Sequence, residues 1–166
     1  MKILDPFLIG DERTRDVTTV ILHWTAGAGP MSSIEHLRKK RLSYHYIIGR
    51  DEREGTYKCL PTRQAGRHTG RDVIRASRGP DGPGTCNQSS IGISFALRGV
   101  GAETLPTVYQ MYQAVEIVHA LKDAFPSLRW LTRHYDCAPL SRPTELRTLP
   151  LEQVAERFGL LAWRRK

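Results

Sequence analysis

The fold of this chain is decided by one stretch, Val17-Thr18-Thr19-Val20-Ile21-Leu22-His23-Trp24-Thr25. Its first six residues are all β-branched or apolar, which is typical of a buried β-strand. The pattern therefore predicts a buried strand that delivers His23 and the two residues after it at its carboxyl end.

Strand and helix patterns intermix along the rest of the chain. Further strands are predicted over residues 44–49, 56–60, 90–97 and 129–133, the first two forming a hairpin around a turn at 51–55. Helices are predicted over residues 32–42, 107–126 and 150–159, with capping boxes formed by Ser32 and Glu35 and by Thr107 and Gln110. We therefore expect one α/β domain across residues 1–166, with a mixed central β-sheet flanked by helices.

The segment from residue 63 to residue 88 is rich in Gly, Arg, Pro and Asp. It is too poor in apolar residues to form core, so a long surface loop is predicted. Long loops of this kind either carry function or are insertions, and the composition alone leaves both open.

Composition places limits on the partners of the chain. Its 25 Lys and Arg against 17 Asp and Glu give a net charge of +8, which favours a polyanionic partner. No nucleic-acid-binding motif accompanies the basic residues, so no specific nucleic acid is expected. No apolar run is long enough to cross a membrane, no export signal is recognisable, and three widely spaced cysteines do not form a disulfide framework. We therefore expect synthesis in the cytoplasm and no membrane insertion.

Two histidines occupy equivalent positions in the predicted sheet. His23 and His134 each lie at the carboxyl end of a strand, where side chains emerge at the edge of the sheet. Neutral imidazoles are good zinc ligands, and a catalytic zinc needs three protein ligands and one open position for water. Strand position alone is also compatible with two structural, hydrogen-bonded histidines.

Five segments around these histidines form an ordered set of motifs. They are Val20-Ile21-Leu22-His23-Trp24-Thr25-Ala26-Gly27, Ser43-Tyr44-His45-Tyr46-Ile47-Ile48, Ala65-Gly66-Arg67-His68-Thr69-Gly70, Asn87-Gln88-Ser89-Ser90-Ile91-Gly92-Ile93-Ser94-Phe95 and Arg133-His134-Tyr135-Asp136-Cys137-Ala138-Pro139. Together, over about residues 17–145, they resemble the zinc-dependent N-acetylmuramoyl-L-alanine amidases, the family that includes phage amidase-type lysozymes and peptidoglycan recognition proteins.

The resemblance implies a zinc site. His23 and His134 correspond to the family's two zinc histidines. The family's third ligand is a Cys eight positions or an Asp ten positions beyond the second histidine, where this chain has Arg142 and Thr144. Allowing one inserted residue, Glu145 is the provisional third ligand. A site completed by Cys137, or one with no third protein ligand, stays open.

The resemblance also implies roles for two further side chains. Tyr44 would stabilise the oxyanion of the tetrahedral intermediate, and His68 would contact the substrate or stabilise the transition state. The family's catalytic Lys is missing here. His45, which alternates with Tyr44, is expected to face away from the site.

The function implied is that of a monomeric zinc amidase that cuts peptidoglycan between N-acetylmuramic acid and L-alanine. It would act at the bacterial cell wall, during phage lysis or as a delivered enzyme, or on cytoplasmic muropeptides. The substitutions at Arg142 and Thr144 favour an alternative, a non-catalytic peptidoglycan-binding domain. A third alternative, a nuclease or nucleic-acid binder, rests on charge alone.

Overall fold

A seven-stranded mixed sheet organises the computed structural model, which describes residues 1–3, 8–25, 27–69, 78–84, 86–97, 105–138 and 146–164. The described strands are β1 (Lys2–Ile3), β2 (Asp11–Glu12), β3 (Thr19–Thr25), β4 (Tyr46–Ile48), β5 (Thr56–Lys58), β6 (Gln64–Ala65), β7 (Arg78–Gly79), β8 (Gly82–Pro83), β9 (Ser90–Ala96), β10 (Trp130–Arg133) and β11 (Leu161–Ala162). The described helices are α1 (Pro30–Lys40), α2 (Cys86–Ser89), α3 (Val108–Ala124), α4 (His134–Cys137) and α5 (Leu151–Arg157).

The sheet has the order β1-β5-β4-β9-β3-β10-β11. Strand β3 lies between β9, the central strand, and β10 and is parallel to both, whereas β4 and β5 form the antiparallel hairpin that the sequence predicts. Six of the seven side chains of β3 and all seven of β9 are buried, as expected for parallel strands covered on both faces. The predicted mixed sheet is confirmed.

Helices cover both faces of this sheet. On one face, apolar side chains of β3 and β9 pack with α3 and α5 in a cluster that includes Leu22, Phe95, Val118 and Phe158. On the other face, α1 packs against Tyr44, Ile47 and Tyr57 through Ile34 and Leu37. The flanking helices are therefore also confirmed, and the second face is the one that carries the polar side chains described below. No helix among the described residues has the length and apolar character required to span a bilayer.

The predicted Thr107 cap of α3 and the predicted Gly159 stop after α5 both agree with the structure. Thr107 caps α3 through a 3.2 Å hydrogen bond from the Gln110 backbone N–H, and Gly159 adopts a left-handed φ of 61° after α5. The predicted start of α1 at Ser32 is wrong. The helix begins at Pro30, which suits the first helical position, and the Ser32 hydroxyl bonds back to the backbone of Gly29.

The segment predicted as a surface loop is partly built into the body of the protein. Gln64–Ala65 pairs with Asp11–Glu12 as a small antiparallel sheet, and His68 and Thr69 are buried. Residues 70–77 and residue 85 of that segment lie outside the described residues. The low apolar content of the segment did not reveal this burial because His68 and Thr69 are polar and their burial is compensated by hydrogen bonds.

Candidate active site

Three of the predicted site residues, His134, Tyr44 and His68, converge around a fourth, His23. Its ring centroid lies 4.8 Å from that of His134, 4.7 Å from that of Tyr44 and 4.9 Å from that of His68. All four side chains are at least nine-tenths buried. The cluster therefore joins residues that are more than 100 positions apart in the chain.

Strand pairing explains why the two predicted zinc histidines meet. Leu22 of β3 and Arg133 of β10 are partners in the parallel register, so the next residue of each strand, His23 or His134, lies at the same level of the sheet. His23 is still within β3, whereas His134 is the first residue of the short helix α4. The sheet itself therefore brings the two imidazoles together.

His68 is held in a narrow slot beside His23. Asn87 Oδ1 accepts hydrogen bonds from the backbone N–H groups of His68 and Thr69, at 3.2 and 3.0 Å. The His68 ring then lies against Gly92 and Gly66, where an added Cβ would come within 2.9 and 2.8 Å of it, respectively. Burial, with the nearby imidazoles, lowers the pKa of His68 well below its usual value.

A second polar layer lies next to His68 and was not expected from the sequence. The ring of His45 is 5.9 Å from that of His68, and its Nδ1 accepts a 3.0 Å hydrogen bond from the Gly92 N–H. Its Nε2 therefore carries the proton and donates to the Gln64 carbonyl at 3.0 Å. Burial lowers the pKa of His45 to about 3. His45 precedes β4, so the strand alternation that predicted it to face away from the site does not apply.

Arg13 completes this layer. Its guanidinium donates to the carbonyls of Gln64 at 2.8 Å, Ser90 at 3.1 Å and Thr62 at 3.2 Å, and also to that of Gln88. Burial lowers the pKa of Arg13 to about 10. The side chain thus ties the N-terminal segment to the start of β9, close to His45.

Glu145, the provisional third ligand, lies outside the described residues, as do Arg142 and Thr144. The residue after Glu145 is described. Leu146 is fully buried with a left-handed φ of 55°, and Arg133 Nη1 donates to the carbonyls of Arg147 at 2.7 Å and Leu149 at 3.1 Å. Arg133 also forms a buried ion pair with Asp136, at 2.6 Å. The chain that follows Glu145 is therefore fastened to the residue that precedes His134.

Cys137, the alternative ligand, lies in an apolar environment. It packs in a buried cluster with Ile21 and Cys86, and its Sγ lies 3.9 Å from Thr132 Oγ1. A hydrogen bond with Cys86, together with burial, raises the pKa of the Cys137 thiol well above its usual value. Zinc binds the thiolate, so this environment does not favour a metal ligand. Within the described part of the chain, no group of three His, Cys, Asp or Glu side chains is arranged to hold a metal ion.

A cleft of about 400 Å³ reaches Tyr44, the aromatic neighbour of His23. It is lined by the end of β3, the loop after it, the first half of α1, and Tyr44. Its volume is within the range of small-molecule binding sites. His36, on the exposed side of α1, lines this cleft, although nothing in its sequence context indicated a role.

Ser94 lies on the same face of the sheet as His23, and the sequence indicated it only as part of a family motif. It is the register partner of His23 and is fully buried. Among the described residues, its hydroxyl has no hydrogen-bond partner. Ser90, Gly92 and Ser94 were given no role from the sequence, but all three lie within the family motif at residues 87–95. No local sequence pattern points to Arg13.

Comparison with known proteins identifies the family. The sequence profile of the N-acetylmuramoyl-L-alanine amidase family matches residues 13–145 of this chain. A search of curated proteins found no significant match. The chain belongs to the N-acetylmuramoyl-L-alanine amidase family.

Solved structures share its fold. The amidase LysC from Clostridium intestinale URNW is 20% identical, with a TM-score of 0.67 over 96% of this chain and 99% of that chain. AmpDh3 from Pseudomonas aeruginosa, in complex with anhydromuramic pentapeptide, is 19% identical, with a TM-score of 0.62 over 93% of this chain and 63% of that one. The peptidoglycan recognition protein LE, in complex with tracheal cytotoxin, a monomeric diaminopimelic acid-type peptidoglycan, is 19% identical, with a TM-score of 0.62 over 92% and 87% of the two chains.

Proposed function

We propose that this chain is a zinc-dependent amidase that hydrolyses the amide bond between N-acetylmuramic acid and the L-alanine of the peptidoglycan stem peptide. One observation carries the proposal: the imidazoles of His23 and His134 lie side by side, and Tyr44, whose ring contacts that of His23, lines a 400 Å³ cleft. The family match supports amidase chemistry on this fold.

The residues present fit a zinc ion. Two adjacent imidazoles supply two of the three protein ligands that catalytic zinc requires, and a carboxylate is an accepted third. We assign the third position to Glu145. In support, Leu146 and the residues after it are anchored by Arg133, next to His134. Bound at these ligands, zinc would acidify a water molecule and polarise the scissile carbonyl.

The chain's own groups would bind and orient the substrate. Tyr44 lines both the cleft and the histidine cluster, so its hydroxyl is the proposed hydrogen-bond donor to the oxyanion. Hydrolysis breaks the amide C–N bond. The lactyl carbonyl carbon gains the water oxygen, and the L-alanine nitrogen leaves as a free amine.

The exposed wall of the cleft suits an anionic, peptide-bearing substrate. The last turn of α1 carries Arg38, Lys39 and Lys40, and His36 lies one turn before them on the cleft. Stem-peptide carboxylates and wall polymers are anionic, which accounts for the net charge of +8. Two structures of similar fold hold peptidoglycan fragments, which supports the same ligand class here.

The test combines zinc content with hydrolysis. Wild-type protein should hold one zinc ion per chain and release free L-alanyl amino groups from peptidoglycan. His23→Ala and His134→Ala should each lose both properties while keeping the far-UV circular dichroism spectrum. His119→Ala, an exposed histidine on α3, is the matched control. Hydrolysis that survives in His23→Ala or His134→Ala would overturn the metal mechanism.

A recognition module is the second candidate, and Arg142 and Thr144, at the positions of the usual third ligand, favour it. In that case the protein would retain peptidoglycan without cutting it, even when zinc is supplied. Assays on intact sacculi and on soluble muropeptides should be run in parallel. Their comparison separates action at the cell wall from action on muropeptides in the cytoplasm, both of which we keep within the proposal.

A further inference from the structure

The hydrogen bonds around His68 form a chain that ends at His23. Ser90 Oγ donates to the carbonyl of Cys86 and lies 3.3 Å from His68 Nε2, and His68 Nδ1 lies 3.0 Å from His23 Nε2. Ser90 and His68 are 0% and 5% exposed. These contacts involve four residues from β3, β9, α2 and the His68 segment, and each has an assignable direction.

Proton counting sets that direction. A serine hydroxyl has one proton, and Ser90 commits it to the Cys86 carbonyl, so the Ser90 oxygen can only accept from His68. His68 Nε2 therefore carries a proton. A neutral imidazole has one N–H, which leaves His68 Nδ1 as an acceptor, and the group facing it, His23 Nε2, must donate.

We infer that Ser90 and His68 are positioning residues that hold His23 in the Nε2–H tautomer, so that His23 presents the lone pair of Nδ1 to a metal ion. This inference rests on the proposed zinc function and assigns His68 a role through His23, in place of direct substrate contact. A ligating histidine is commonly oriented by a hydrogen bond from its other ring nitrogen, which fixes its tautomer and raises its basicity.

The slot around His68 makes this arrangement rigid. Gly92 and Gly66 lie against the His68 ring, and Asn87 fixes the backbone of His68, so the ring has little room to turn over. The neighbouring His45 is itself fixed as the Nε2–H tautomer by Gly92 and the Gln64 carbonyl. The hydrogen bonds from His23 through His68 and Ser90 to the Cys86 carbonyl therefore form a relay in which each group donates to the next.

The direct test is the tautomeric state of the histidines. Long-range proton–nitrogen correlation spectra of the ¹⁵N-labelled full chain, recorded with and without zinc, report which ring nitrogen carries the proton. We expect His23 and His68 both to be protonated at Nε2, with His23 Nδ1 shifting when zinc is added. A proton on Nδ1 of His23 or of His68 in the zinc-free wild type would overturn the inference, and this readout needs no variant.

The second test removes the Ser90 hydroxyl, which accepts the hydrogen bond from His68. Ser90→Ala should leave His68 in a mixture of tautomers and weaken zinc binding roughly 10- to 100-fold, whereas Ser90→Thr, which keeps the hydroxyl, should restore both. Ser127→Ala is the matched control, because Ser127 makes a similar hydroxyl-to-carbonyl bond, to Val17 at 2.9 Å, and is not a member of the relay from His23 to Cys86. A folded Ser90→Ala protein with unchanged tautomers and zinc affinity would contradict the inference.

The two proposals fail in different ways. If wild-type protein binds no zinc but His23 and His68 are both protonated at Nε2, the proposed zinc function is wrong while the assigned hydrogen-bond directions are correct. If it binds zinc and cuts peptidoglycan with the opposite tautomer at His23, the function stands and the relay is wrong.

Discussion

His23 and His134 lie with their ring centroids 4.8 Å apart although 110 residues separate them in the sequence. The parallel pairing of β3 with β10 imposes this relationship, because Leu22 and Arg133 are register partners. Any movement of β10 along β3 by one residue would therefore separate the imidazoles. The geometry of the proposed metal site is thus set by backbone hydrogen bonds of the sheet.

Tyr44→Phe should keep the bound metal and lower kcat by roughly 100-fold or more, the scale found for the loss of one oxyanion donor. The phenyl ring should preserve packing against His23 and the α1 cluster. Steady-state kinetics on a soluble muropeptide measure the effect, with Tyr112→Phe, an exposed tyrosine on α3, as control. Unchanged turnover would leave Tyr44 a purely structural side chain.

Glu145→Ala should weaken zinc binding by orders of magnitude if Glu145 completes the site. Cys137→Ser should leave the zinc affinity unchanged and cost only packing in the cluster with Ile21 and Cys86. Competitive titration with a zinc chelator measures both. The reverse pattern, with loss of zinc in Cys137→Ser alone, would show that the site is a His-His-Cys site.

Arg133→Met should destabilise the protein by about 3 kcal/mol, because it leaves the buried Asp136 carboxylate without its partner and frees three backbone carbonyls. It should also weaken zinc binding by loosening the chain that follows Glu145. Urea unfolding gives the stability. Arg164→Met, at an exposed pair with Glu152, should scarcely move the unfolding midpoint. Equal losses of unfolding free energy in Arg133→Met and Arg164→Met would contradict the role of Arg133 in anchoring the chain after Glu145.

The pH dependence of stability should report the buried state of His45. Its pKa is about 3 in the folded protein against an ordinary value of about 6.5 for histidine, so below pH 6.5 the unfolded chain binds a proton that the folded chain does not. Wild-type protein should therefore lose up to about 1.4 kcal/mol per pH unit from this group as the pH falls from 6.5 toward 3. His45→Gln should lack this contribution. Parallel curves of unfolding free energy against pH for the two proteins would contradict the assignment.

The sheet and the position of the two histidines were predictable because they depend on local patterns. An apolar, β-branched run marks β3, and its end marks where His23 emerges. The family motifs then supplied Tyr44 and His68, which the structure brings to His23. The predicted start of α1 was wrong because Ser32 and Glu35 match the sequence pattern of a capping box, whereas the helix begins two residues earlier, at Pro30.

The supporting layer could not be predicted, for a physical reason. Arg13 donates to backbone carbonyls at positions between 62 and 90. Because every residue type carries a backbone carbonyl, the identities of the accepting residues give no sign of this contact. His45 is placed by Gly92 and Gln64 backbone groups, which leave no side-chain signature either. Such contacts depend on how distant segments approach each other, which periodicity does not encode.

The most direct test of the central claim is mass spectrometry of a defined muropeptide after incubation with zinc-loaded protein. The proposal predicts two products, a muramic acid with a free lactyl carboxylate and a stem peptide with a free L-alanine amine, whose masses sum to that of the substrate plus one water. His134→Ala should yield neither product. An intact muropeptide that co-purifies with the zinc-loaded wild-type protein would contradict the amidase proposal and support recognition without cleavage.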